Sequence, residues 1–138
     1  MGMDDGLKVC ERLVHAFAWH IDHHEAEQAA GLFAEDAVFE RRGEALKGRD
    51  AIRSAFLKRP ASVLTRHLCS NLLLDAESAT RIVGRSYFTL YRGDAAAGQP
   101  LCLEWPEFVG EYHDLFEHTG QGWRIAHRRA HAIFQRAA

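Results

Sequence analysis

The stretch HIDHHEAEQAAGLFAEDAVFE, residues 20–40, decides the fold class. Upstream of it, Leu7, Cys10, Leu13, Val14, Phe17 and Ile21 recur at steps of three and four. That spacing lays one apolar stripe along a helix over residues 4–20. Inside the stretch, Asp22 followed three residues later by Glu25 resembles a capping box, which predicts a helix break and a second helix. Ala26, Ala29, Ala30 and Phe33 give that helix its apolar positions, and DAVFER, residues 36–41, then reads as a short strand.

Downstream, GRDAIRSAFLKR (48–59) predicts a third helix. Gly48 precedes it, Asp50 is a candidate cap, Ile52 and Phe56 share a face, and Pro60 ends it. The remainder alternates as β-structure. Strands are expected at 63–75, 78–92, 101–118 and 123–134, with breaks at GDAAAGQP (93–100) and TGQG (119–122). The third of these strands should bend near Trp105-Pro106, because Pro106 has no N–H for a ladder. Helices first and an antiparallel meander afterwards make an α+β fold. A curved sheet closed on one side by helices forms a cone, and a concave apolar interior is where small ligands bind.

Composition narrows the function classes. The 138 residues are 47% hydrophobic and 26% charged, enough apolar material for one core without disulfide or metal staples, and one domain over residues 1–138 is expected. The formal net charge is −2, with 17 basic and 19 acidic residues intermixed, so nothing argues for nucleic acid. No apolar run suffices for a membrane span. MGMDDGLK carries neither a signal-peptide core nor a myristoylation motif, since position 6 is glycine. Three cysteines, Cys10, Cys69 and Cys102, with no CxxC, read as reduced thiols in the cytoplasm.

WHIDHHE, residues 19–25, concentrates three histidines and two carboxylates. His20 and His24 at i and i+4 could share a metal on a continuous helix, but no third ligand follows, and a break at Asp22 would separate them. No metal is expected there. His127 and His131 lie on a strand, roughly 13 Å apart at the usual rise, too far to share one. Asp22 by itself is adequately explained as a helix cap of about 1 kcal/mol. Its functional alternative is to point into the cone and orient a histidine, as the third member of a triad does. His67, in TRHLCSNLLLD, sits on a strand face with Thr65, Cys69, Asn71 and Leu73, more polar than a core requires. Beside a carboxylate in a pocket it would be a candidate general base. No GxSxG surrounds Ser54, Ser70 or Ser86, and no glycine-rich phosphate loop is present.

Four pieces in order, HIDHHEAEQAAGLFAEDAVFE, LKGRDAIRSAF, LTRHLCSNLLLD and GEYHDLFEHTGQGWRIAHRRA, resemble the SnoaL-like members of the nuclear transport factor 2-like superfamily. The resemblance implies a cone-shaped, curved antiparallel sheet packed on three N-terminal helices. That superfamily includes scytalone dehydratase, hexachlorocyclohexane dehydrochlorinase, ketosteroid isomerase, polyketide cyclases and small subunits of ring-hydroxylating dioxygenases, so fold alone does not fix function. In site residues the chain is most similar to the dehydratase and dehydrochlorinase branch, which uses an Asp after the first helix and a His on the strand after the third. Asp22 and His67 match these positions. The tyrosine that precedes the Asp in scytalone dehydratase is Ile21 here, leaving Tyr87 or Tyr112 to supply a hydroxyl. Arg129, or Arg128 if the register differs by one, matches a pocket arginine of the dehydrochlorinase.

The expectation is a cofactor-independent lyase or isomerase for a hydrophobic cyclic or aromatic metabolite, with His67 as base and Asp22 as its partner. Trp19, Phe39, Tyr87 and Tyr112 would be cavity walls, with Arg129 also binding substrate. No metal or organic cofactor is implied, and a homodimer through the sheet is implied by the resemblance. The alternative is a non-catalytic small-molecule-binding module or a dioxygenase small-subunit-like protein.

Overall fold

A computed structural model describes residues 3–137. Helix α1 spans Met3–Asp22, α2 Ala26–Ala30 and α3 Arg49–Leu57. Strands are β1 (Phe33–Arg41), β2 (Glu44–Lys47), β3 (Val63–Ser78), β4 (Arg81–Asp94), β5 (Phe108–Thr119) and β6 (Gly122–Gln135). They form one sheet in the order β2-β1-β6-β5-β4-β3. Every pair is antiparallel except β1 with β6. The fold is α+β with a curved, open sheet. Among the described residues no helix is long and apolar enough to cross a membrane.

The stripe read from the sequence is the one α1 buries: Cys10, Leu13, Val14, Phe17 and Ile21 all sit in the core. Phe17 is the hub. Its ring lies 5.8–6.2 Å, edge to face, from those of Phe33, Phe39, Phe56 and Tyr112, drawn from α3 and from strands β1 and β5. Sheet curvature has a local cause at Gly110. A Cβ there would collide with the His131 carbonyl and the Phe88 ring, at a point where the β5–β6 register shifts.

Several boundaries differ from expectation. Helix α1 runs on to Asp22, and the N-cap of α2 is Glu25, with no side-chain capping bond, so there is no capping box. Phe33 belongs to β1, which starts three residues earlier than DAVFER. Strand β2, EALK, is too short to show a period and was not expected. Residues 101–107 are irregular and β5 begins only at Phe108, so Pro106 lies outside the ladder it could not complete. In β3, Asn71 takes a left-handed φ of 54° where the register shifts between Ser70 and Leu73. The bulge swaps faces: Leu72 and Leu74 pack on the core while Leu73 is 55% exposed, the reverse of a regular alternation.

Candidate active site

The end of α1 delivers Asp22 to β3. Its Oδ1 accepts hydrogen bonds from His67 Nδ1 at 2.6 Å and Thr65 Oγ1 at 2.9 Å, and its Oδ2 accepts from the His67 main-chain N–H at 2.8 Å. Residues 65 and 67 share one face of the strand, so a single carboxylate can bind both. Arg59 completes the anchor, donating from Nη1 to the Ile21 carbonyl and from Nη2 to Thr65 Oγ1. Asp22 is buried. Burial raises its pKa, but the hydrogen bond and charge of the His67 side chain, the His67 N–H and the Thr65 hydroxyl together outweigh it and hold the carboxyl below its ordinary value. An ionised Asp22 accepts the Nδ1 proton and leaves a lone pair on Nε2, the tautomer a base requires.

His67 lines a cavity of about 520 Å³ in the concave side of the sheet. Phe17, Phe39, Phe56, Phe88, Phe108 and Tyr112 supply aromatic wall, and Arg41, Arg42, Arg59 and Arg92 also border it. Tyr112 is buried, and its hydroxyl has no hydrogen-bond partner among the described residues. Burial, reinforced by Cys69, Asp114 and Asp22 and opposed by Arg128, raises its pKa, so the phenol stays protonated and can donate. Arg128 is fully buried beneath it: the guanidinium carbon is 3.9 Å from the Tyr112 ring centroid and 4.6 Å from that of Phe17, and Nε and Nη2 bind both Asp114 oxygens.

Of the residues expected at the site, Asp22, His67, Phe39 and Tyr112 come together. Three others do not. Trp19 is 61% exposed and stacks on His23, because two helical residues from both Phe17 and Ile21 is the opposite side of α1. Tyr87 is half exposed on the outer face, since β4 turns Phe88 inward. Arg129 is exposed and Arg128 is the inward residue, although Arg128 supports Tyr112 rather than bordering the cavity. Sequence reading missed the four cavity arginines; Arg41, two residues after Phe39 on a strand, carried the one signal that could have found one. The histidines of WHIDHHE diverge: His20 Nδ1 bonds Glu25, His23 Nδ1 donates to the Trp19 carbonyl, and His24 Nε2 donates to the Val63 carbonyl.

An Asp-to-Asn variant of Rv3472, a protein of unknown function from Mycobacterium tuberculosis, is 29% identical, with a TM-score of 0.77 over 89% of this chain and 73% of that one. A candidate scytalone dehydratase from Novosphingobium aromaticivorans is 22% identical, with a TM-score of 0.81 over 99% and 92%. The beta subunit of a candidate aromatic-ring-hydroxylating dioxygenase from the same organism is 15% identical, with a TM-score of 0.75 over 94% and 90%. The last two likenesses are of fold alone. No curated protein matches the sequence. The family model described as SnoaL-like domain matches residues 8–129, and the chain belongs to that family.

Proposed function

We propose that the protein is a cofactor-independent lyase of the dehydratase type, or an isomerase, acting on a cyclic or aromatic metabolite in the cavity. The observation that carries this is the 2.6 Å bond between Asp22 and His67 Nδ1 on a histidine that lines the cavity. His67 Nε2 takes a proton from a substrate carbon while Asp22 stabilises the imidazolium. In a dehydration the C–H electron pair becomes the new C=C, the neighbouring C–O bond breaks, and the leaving hydroxide takes the proton from Nε2 to depart as water. In an isomerisation the same proton returns to another carbon. Tyr112 donates a hydrogen bond to a substrate oxygen.

A non-catalytic binding module or dioxygenase small-subunit-like protein would keep the cavity without needing the Asp22–His67 bond. The test screens cyclic alcohols and ketones for melting shifts, then measures turnover of those that bind. Binding with turnover that is lost in His67→Ala supports catalysis, and binding with no turnover by the wild type supports the module. We further propose a homodimer through the outer face of the sheet, where Leu68, Leu73 and Tyr87 stand about half exposed. Three free thiols, Cys10, Cys69 and Cys102, support a cytoplasmic location.

A further inference from the structure

The cavity carries an unbalanced charge. Four arginines border it and, among the described residues, no aspartate or glutamate does. Asp22, which holds the wall residues His67 and Thr65, is already bound by both. Arg41 has only a 3.7 Å approach to Glu44, and its Nε makes no hydrogen bond. Arg42 and Arg92 have no side-chain hydrogen bond or ion pair among the described residues. Arg59 is the one arginine of the four tied down by two protein acceptors.

Strand register fixes where these charges stand. Thr65 pairs with Arg92 and His67 with Leu90, so Arg92 shares the cavity face and lies one inward position nearer the exposed end of the strands. Arg41 follows Phe39 on the inward face of β1. Arg42 is held by strain. It occupies the first position of the two-residue Arg42-Gly43 turn between β1 and β2, with φ of 50° and 75° at the two residues. That turn type favours Asn, Asp or Gly at this position, and an arginine Cβ resists it. Among the described residues no carboxylate on the cavity wall offsets these charges. Burial lowers the pKa of Arg41 and of Arg59, and neighbouring arginine charges lower both further, with Glu44 opposing at Arg41 and Asp22 at Arg59.

We propose that the cavity takes a ring-bearing oxyanion, a carboxylate or a phosphate ester. Its ring lies against Phe39, Phe56 and Phe88, and its anionic group sits among Arg41, Arg42 and Arg92 at the mouth. The planar guanidinium fork matches both head groups. The inference rests on the cavity being the substrate site, as in the function proposed above, and it names the class of substrate.

Calorimetry on the full chain with naphthoate, naphthyl phosphate and naphthamide tests it, because the three share one ring. At low salt at least one oxyanion should bind about tenfold or more tighter than the carboxamide, and added salt should erode that preference. Arg42→Gln and Arg92→Gln, both at exposed positions, should each weaken oxyanion binding several-fold and leave the carboxamide unchanged. The order of the two oxyanions identifies the head group. Equal affinity for all three ligands, or a preference that survives in the double Arg42→Gln/Arg92→Gln variant, overturns the proposal. Catalysis is judged separately. Oxyanion binding that persists in His67→Ala supports this inference whatever the turnover, while turnover of a neutral ligand without oxyanion preference keeps the catalytic reading and ends this one.

Discussion

Asp22 reaches His67 twice, through the ring Nδ1 at 2.6 Å and through the main-chain N–H at 2.8 Å. One carboxylate therefore fixes both the position of the strand and the orientation of the imidazole. An amide cannot replace it on both sides. In Asp22→Asn, one face of the side chain becomes an N–H donor. If the remaining oxygen keeps the main-chain bond, the amide N–H confronts Nδ1 and favours the tautomer protonated on Nε2, which is no base. Turnover of a true substrate should fall on the order of 10³- to 10⁴-fold with a small change in KM, as in other Asp-oriented histidines. Stability should fall by only about 1–3 kcal/mol. Wild-type turnover in the variant would reduce Asp22 to a strut between α1 and β3.

The same contacts make Asp22 sensitive to acid. Its folded-state pKa lies below the ordinary carboxyl value of 3.8, so the unfolded chain binds the proton more readily. The stabilisation is present above that value and is lost as pH falls through the lower folded-state pKa. Urea unfolding from about pH 5 down to about pH 2.5 should show stability declining with acid, and Asp22→Asn should decline less steeply over the same window. Parallel curves for the two proteins would contradict this assignment.

Periodicity found the three helices and the longer strands but not the four-residue β2, and the Asp22–His67 pair was legible because the family resemblance aligned two short pieces. Orientation was harder to read. Tyr87 was expected where Phe88 stands, and Arg129 where Arg128 does, because a one-residue slip exchanges the faces of a strand. Register depends on bulges such as that at Asn71, which a single sequence does not mark. At residues 20–25 the local capping pattern was overridden. Thr65 and His67 bind Asp22 from across the fold, and those partners lie more than forty positions away in the chain.

The Arg128–Asp114 pair should be a stability element with a reach into the cavity. Burial alone would lower the Arg128 pKa, but the Asp114 charge and hydrogen bonds outweigh it and keep the guanidinium charged. Asp114→Ala would strand that buried charge and should cost about 3–5 kcal/mol, while Asp114→Leu with Arg128→Met should cost much less. Urea unfolding of the wild type, Asp114→Ala and the double variant checks this ordering. A mild Asp114→Ala would mean that water reaches the pair.

Leu68, Leu73 and Tyr87 make the proposed dimer face testable. The wild type should scatter light as a dimer at micromolar concentration. Leu73→Lys with Tyr87→Glu should yield a folded monomer, because neither side chain packs in the core. A wild-type monomer, or a variant that stays dimeric, would move the interface elsewhere or remove it.

Arg42 sets stability against binding at one position. Its left-handed backbone, φ 50°, is a conformation that glycine enters freely and arginine does not. Arg42→Gly should therefore relieve strain of about 1–2 kcal/mol in the turn. Glycine's greater freedom in the unfolded chain takes back about 0.5–1 kcal/mol, so the net expected gain is a small rise in Tm. The same change removes a guanidinium from the cavity mouth, so oxyanion affinity should fall several-fold as stability rises. Melting curves of Arg42→Gly and Arg42→Gln, each with and without naphthoate, separate the two effects: both variants should show a smaller ligand-induced shift than the wild type, and only glycine should gain stability without ligand. If Arg42→Gly is stabilised and keeps the full naphthoate shift, the strain is real but serves no anion. If it is destabilised, the turn depends on the arginine side chain itself, and strain does not explain the position.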